Sequence, residues 1–151
     1  MLSTTVRCHV FSRLTEGRVF LDHVEGLLKQ YEYCERTIHG IFLALEEAFA
    51  NAIKHGHGLD DSKSVRFTYQ VTQERFEAHV EDEGPGFDPC EVPDPTAPEN
   101  LERNCGRGVF LIRHYMTHVE YNERGNAVRM VKIHPRQTEI SNFDTVSDVT
   151  M

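Results

Sequence analysis

The stretch EEAFANAIKHGHG at residues 46–58 sets apolar side chains against polar ones. At about 100° per residue its apolar positions fall within one arc of roughly 140°, which predicts an amphipathic helix over residues 35–55. Glu47, Asn51 and His55 follow one another at four-residue spacing on the opposite side. They are either the solvated face of an ordinary helix or the polar half of a binding site.

The chemistry of these side chains favours a nucleotide site. An Asn51 carbonyl oxygen can bind Mg²⁺ beside phosphates without adding negative charge. Glu47, one turn earlier, is placed to act as a general base toward a hydroxyl or water near a γ-phosphate. Lys54 and His55 are candidate phosphate contacts, although Lys54 could equally stay in water. His55 and His57 could instead ligate a metal, but no third ligand has helpful spacing.

The second segment, EDEGPGFDP at 81–89, places Asp82 at the end of a predicted strand, before Gly84 and Gly86. An aspartate carboxylate accepts a hydrogen bond from the exocyclic amine of adenine, where guanine presents a carbonyl. Glycines let the backbone approach a base without a Cβ in the way. A plain turn is the alternative, since this composition is also ordinary turn chemistry.

The third segment, CGRGVFLIRHYM at 105–116, opens an apolar helix with a glycine pair. Gly106, Arg107, Gly108 and Val109 resemble a helix start that binds phosphate through free backbone N–H groups and the helix dipole. A flexible loop joining a helix is the alternative, and Arg107 is either a phosphate partner or a solvated charge. Taken with the first two segments, the order and spacing favour a pocket for ATP and Mg²⁺.

The remaining pattern gives the order β-α-α-β-β-loop-α-β-β. Strands are predicted over 4–11, 64–71, 75–82 and in two segments of 117–133, and another helix over 16–31. This order predicts an α+β fold: a two-layer α/β sandwich with helices on one face of a mixed, mostly antiparallel sheet. The proline-rich loop from about 88 to 105 is expected to act as a lid over the triphosphate.

Length and composition exclude several classes of protein. The 151 residues suit one domain, which we place at 1–134, with a disordered tail at 135–151. A formal charge of −8 argues against direct nucleic-acid binding. No apolar run reaches membrane-spanning length and no signal peptide is recognisable, so we expect a cytoplasmic protein with no membrane partner. The four scattered cysteines predict neither a zinc site nor a disulfide framework.

The three segments resemble the N, G1 and G2 boxes of the GHKL ATPases, the superfamily that includes DNA gyrase and the histidine kinases. The lid and the third segment are most similar to the anti-sigma-factor serine/threonine kinases, and the likeness covers about residues 4–133. Histidine kinases fit less well, because neither His23 nor His39 has the context of a phosphoacceptor. Gyrase-type members need a second domain for which the chain has no room.

The resemblance implies a Bergerat-type fold that binds ATP and Mg²⁺. It implies transfer of the γ-phosphate to a Ser or Thr of an anti-sigma-factor antagonist, a small STAS-domain protein. A sigma factor is then a second partner, and a homodimer is expected. Glu47 matches the family's proposed base, Asn51 its magnesium ligand and Asp82 its adenine contact. The four glycines of the second and third segments match those of the two glycine boxes.

One departure from the family pattern leaves the function open. Family members often carry a threonine in the turn before the last strand, where this chain reads GNAV at 125–128. The loss of that hydroxyl is expected to weaken nucleotide contacts. The alternative to a kinase is a nucleotide-binding, non-catalytic regulator that sequesters a sigma factor or another protein.

Overall fold

The computed structural model describes residues 4–57, 63–85 and 107–135. Its elements are β1 (Thr5–Phe11), α1 (Leu14–Gln30), α2 (Glu35–Asn51), a π-helical segment (Ala52–His57), β2 (Val65–Val71), β3 (Arg75–Asp82), α3 (Arg107–Tyr115), β4 (His118–Tyr121) and β5 (Ala127–Ile133). The order is the predicted one. The expectations for the lid at 88–105 and for the tail beyond 135 lie outside the described residues. In the described ranges, no helix combines the length and apolar character of a bilayer span.

The strands form one sheet in the order β1-β2-β3-β5-β4. All four described pairings are antiparallel, in agreement with the mostly antiparallel sheet predicted from the sequence. The β2–β3 turn begins at Thr72, whose hydroxyl accepts bonds from the N–H groups of Glu74 and Arg75. Because β5 pairs antiparallel with β3, with Ala127 opposite Glu81, the C-terminal end of β3 and the start of β5 lie side by side at one end of the sheet.

The core lies between the helices and one face of this sheet. Alternate residues of β2 are buried, as expected of a strand with one covered face. Phe49 of α2 stands at the centre, with ring centroids 4.8 Å from both Phe11 and Phe67. Burying each large apolar side chain of this kind contributes about 1.5–3 kcal/mol. The predicted two-layer α+β sandwich is therefore confirmed.

The second helix does not run as an α-helix to residue 55. It ends at Asn51 and continues as a π-helix over Ala52–His57. A π-helix needs more residues per turn than the 3.6 of an α-helix. The four-residue spacing that aligns His55 with Asn51 in an α-helix therefore does not hold, and that alignment was wrong. Short π segments are frequent at functional sites.

Two helical glycines mark places where neighbouring elements approach closely. A Cβ on Gly17 would lie 2.9 Å from Phe49 Cδ2 and 3.0 Å from Phe11 Cε2. A Cβ on Gly40 would lie 2.9 Å from Cδ1 of Tyr115, at the contact of α2 with α3. By contrast, nothing lies within 4 Å of the equivalent position at Gly26. Gly17 and Gly40 are thus required by packing, whereas Gly26 is not.

Alanine at the two glycines of α1 is expected to change stability in opposite directions. Gly17→Ala forces two buried rings to move and should destabilise the fold by about 1–3 kcal/mol. Gly26→Ala fills open space on the same helix and should stabilise it by about 0.5–1 kcal/mol. Urea unfolding of both variants measures the difference. Equal stabilisation by the two alanines would contradict the close packing of α1 on the core.

Candidate nucleotide-binding site

The last two turns of α2 carry the first pair of candidate residues. Ala44, Ala48 and Phe49 are buried and fix this end of the helix against the core. Glu47 and Asn51 are partly buried, so this side of the helix is more than a solvated face. The sequence pattern alone could not separate those two interpretations.

The neighbouring carboxylate has a different environment. Glu46 Oε1 lies 3.8 Å from Arg18 Nη2 on α1, in a pair whose side chains stay partly exposed. An exposed pair of this kind contributes little to stability. The position of the pair is more informative than its strength, because the Glu46 side chain turns toward α1. The contact with Arg18 makes Glu46 a poorer candidate than Glu47.

A small cleft, with room for only about 20 Å³, lies between the end of α2, the C-terminal end of β3 and the start of β5. Its described lining residues are Ala48, Asn51, Ala52, Val80, Asp82, Tyr121, Gly125, Asn126, Ala127 and Val128. Asn51 and Asp82, which two different elements supply, therefore face one cavity. The fold brings together the first and second segments singled out in the sequence.

The Asp82 carboxylate is held in place at the end of β3. Its residue is only 8% exposed, and its Oδ1 accepts a 2.7 Å hydrogen bond from the Gly84 N–H. The Asp82 N–H donates to Asn126 O at 2.8 Å, and Asn126 Nδ2 donates to Asp82 O at 2.9 Å. Burying a carboxylate is costly unless hydrogen bonds or a ligand compensate. A buried, oriented carboxylate in a cleft is the arrangement expected of a ligand contact.

The model of the histidine kinase-like ATPase domain family matches residues 12–132. The chain belongs to this family. The match runs from the start of the helical layer into the last strand, so it includes every residue that lines the cleft. It confirms the resemblance drawn from the three segments.

Several curated relatives are similar to this ATPase domain over most of their length. Serine-protein kinase RsbW of Listeria monocytogenes serotype 4a is 28% identical over 134 residues, 82% of each chain. Serine-protein kinase RsbW of Oceanobacillus iheyensis is 23% identical over 127 residues, 80% of each. Serine/threonine-protein kinase BtrW of Bordetella bronchiseptica is 23% identical over 112 residues, 73% of this chain and 77% of the relative.

Four predicted site residues of this ATPase domain gather around the cleft. Asn51 and Asp82 line it, and Gly84 is bonded to the Asp82 carboxylate. Glu47 stands one helical turn before Asn51 on α2. The residues predicted as base contact, metal ligand and general base therefore lie in one region of the domain.

The other predicted residues are less well placed or fall outside the described part. Lys54 is exposed in the π-helical segment, and Val109 is buried, 5% exposed, in α3. The described lining of the cleft includes neither of them. Gly86 and Gly106 lie outside the described residues, and only the helical backbone is described for His55, Arg107 and Gly108.

Two side chains of the cleft had no predicted role, although the resemblance pointed to the turn at 125–128 as a place of nucleotide contact. Tyr121 closes one wall; burial raises its pKa to about 12, so the phenol stays neutral at physiological pH. The guanidinium carbon of Arg113 lies 5.9 Å from the Tyr121 ring centroid. Asn126 is buried opposite Asp82. No local pattern singles out either side chain, and the pairing of β5 with β3 places Asn126 beside Asp82.

Proposed function

We propose that this chain is an ATP-dependent protein serine/threonine kinase of the anti-sigma-factor type. The observation that carries the proposal is the shared cleft of Asn51 and the buried Asp82, with Glu47 one turn before Asn51. The names of the three relatives, all serine- or serine/threonine-protein kinases, support the same reaction class.

Asp82 gives the cleft a preference for adenine in this proposal. Its carboxylate accepts a hydrogen bond from the exocyclic amine of the base, whereas the carbonyl of guanine would face it with a second acceptor. The Gly84 N–H already holds Oδ1 in a fixed direction. The absence of a Cβ at residue 84 allows close approach of the base to the backbone.

The donor chemistry of the cleft fits a magnesium ion. Mg²⁺ prefers oxygen ligands, keeps several waters and takes few protein ligands when it accompanies nucleotide phosphates. Asn51 offers one amide oxygen at the cleft without adding negative charge. Asn51 would hold the ion, whose contribution when bound is to neutralise phosphate charge. Phosphate contacts are assigned to Lys54, His55, Gly86, Gly106, Arg107, Gly108 and Val109.

Glu47 is the proposed general base. Its carboxylate takes the proton of a serine or threonine hydroxyl as the hydroxyl oxygen bonds to the γ-phosphorus. The bond from that phosphorus to the bridging oxygen breaks at the same time, and ADP leaves with the electron pair. Positioning and charge stabilisation supply most of the acceleration in phosphoryl transfer, so the base is one contribution among several.

The partners in this proposal are proteins. The phosphate acceptor is a STAS-domain antagonist, and a sigma factor is the protein released when the antagonist is unphosphorylated. The domain acts in the cytoplasm as a homodimer. The position of β1 at an edge of the described sheet supports self-association, because Val6 and Val10 there are 59% and 58% exposed.

Thermal unfolding with and without MgATP tests the pocket first. ATP at about 100 times its Kd should add roughly 2.7 kcal/mol of stability, or about 5–10 °C for a domain of this size. Two controls should give clearly smaller shifts in unfolding temperature. GTP places a carbonyl opposite Asp82, and ATP with EDTA lacks the magnesium ion. The absence of any shift at millimolar MgATP would contradict the proposed nucleotide site.

A further inference from the structure

The turn between β4 and β5 is joined to the end of β3 in an unusual way. The β3–β5 ladder ends with Glu81 opposite Ala127, so the next pair is Asp82 opposite Asn126. The Asp82 N–H donates to Asn126 O at 2.8 Å, as in a regular antiparallel pair. A regular pair would return a bond from the Asn126 N–H to Asp82 O. Here the Asn126 side-chain Nδ2 donates that bond, at 2.9 Å.

The main-chain N–H displaced from the ladder has its own acceptor. It donates to Asn122 Oδ1 at 3.0 Å, and the N–H of Ala127 donates to the same oxygen at 3.1 Å. Asn122 Nδ2 in turn donates to Asn126 Oδ1 at 2.6 Å. Both ends of the Asn126 amide are therefore engaged, in a residue that is 8% exposed. This fixes the orientation of the Asn126 side chain.

The same turn holds the far end of the Asp82–Gly84 segment. Arg124 Nη2 donates to Gly84 O at 3.0 Å, and Gly84 N–H is the donor to the Asp82 carboxylate. The turn is therefore hydrogen-bonded to the backbone of Asp82 through Asn126 and to the backbone of Gly84 through Arg124. The two anchors flank the carboxylate on either side.

We infer that Asn126 and Arg124 are positioning residues, which set the direction in which the Asp82 carboxylate faces the bound base. This rests on the proposed function, since it assigns a base to the cleft. Releasing either anchor lets the Asp82–Gly84 segment rotate, and a carboxylate that misses the adenine amine loses both affinity and the distinction from guanine. Arg124 lies outside the described lining of the cleft, and Asn126 lines it with both ends of its amide already bonded to the protein. The β4–β5 turn is therefore part of the recognition of adenine.

The test compares Asn126→Ala and Arg124→Ala with Glu123→Ala, which alters an exposed residue of the same turn. Kd values for ATP and GTP, unfolding temperatures without nucleotide and phosphotransfer at saturating ATP are measured for each. Asn126→Ala should weaken ATP binding by about tenfold and narrow the ATP/GTP preference, the effect of about one hydrogen bond. Arg124→Ala should weaken ATP binding by about three- to fivefold, and Arg124→Lys should restore part of that affinity. Phosphotransfer at saturation should change by less than about twofold, since the loss lies in binding.

Unchanged ATP affinity and unchanged ATP/GTP preference in folded Asn126→Ala and Arg124→Ala would overturn the inference and leave the turn a structural feature only. If Asn126→Ala fails to fold, Arg124→Ala decides alone, because its exposed side chain can be removed without opening a cavity. If the unmodified protein binds no ATP, the proposed function fails and this inference fails with it. That outcome is visible before any variant is made, so the two failures are distinguishable.

Discussion

The variant Glu47→Gln is expected to lower phosphotransfer to the STAS-domain acceptor by about 10²–10⁴-fold, the usual contribution of a positioned general base. ATP affinity should stay within about twofold, because glutamine keeps the size of the side chain and Asp82 and Asn51 are untouched. The unfolding temperature should change little, since Glu47 lies outside the buried core. Transfer of γ-phosphate to the acceptor and equilibrium binding of ATP, measured on the same preparation, separate the chemical step from binding.

Glu46→Gln is the matched control. It removes one negative charge from the adjacent residue of the same helix, but from a side chain that pairs with Arg18 on α1. Its transfer rate should match that of the unmodified protein. An equal fall in transfer rate in the two variants would indicate a general charge effect and contradict the assignment of Glu47 as general base. A protein that binds ATP but transfers phosphate to no STAS acceptor, with or without Glu47, is the non-catalytic regulator.

The elements of the fold follow from local periodicity. The apolar residues of α2 recur at helical spacing, and Ile41, Leu45 and Phe49 are completely buried. Along β2 and β3 every second side chain is buried, which the alternation of their sequences predicts. These patterns reflect one covered face for each element, so each can be recognised without knowing what covers it.

The same local reasoning missed the π-helical segment after Asn51. The residues from 52 to 57 have no glycine or proline before Gly56, so they continue the α-helical pattern in the sequence. The choice between the two helix types depends on hydrogen bonds one residue apart in register, which side-chain type does not reveal. The positions of residues 54 and 55 around the helix were therefore not predictable, although those of Glu47 and Asn51 were.

The candidate site was predictable only where its chemistry is local. Asp82 and Gly84 are neighbours in sequence, and their hydrogen bond belongs to one turn. Asn126 reaches the same site because β5 pairs with β3, two strands that do not follow one another in the chain. Asparagine is common in turns for its own backbone bonds, so its presence before β5 indicates nothing about a distant aspartate. Long-range pairing, which no local pattern specifies, supplies this part of the site.

Asp82→Asn is expected to reverse the base preference of the cleft. The asparagine oxygen can still accept the bond from the Gly84 N–H that Oδ1 accepts now. The carboxylate's second oxygen then becomes an NH₂ group, which faces the adenine amine as a second donor. Loss of a hydrogen bond to a charged group corresponds to about 1.5–3 kcal/mol, so ATP affinity should fall by roughly 10–100-fold. The affinity for GTP should fall less than the affinity for ATP, or rise, because the carbonyl of guanine accepts a hydrogen bond from the new amide.

Titration of both nucleotides against Asp82→Asn and Glu81→Gln measures this reversal. Glu81 is the preceding residue of β3 and is exposed, since successive strand residues point to opposite faces. Its variant loses the same charge and should keep the ATP affinity and ATP/GTP ratio of the unmodified protein. An ATP loss in both variants would mean that the net charge, rather than the Asp82 contact, controls binding. An unchanged ATP/GTP ratio in folded Asp82→Asn would contradict the assignment of adenine recognition to Asp82.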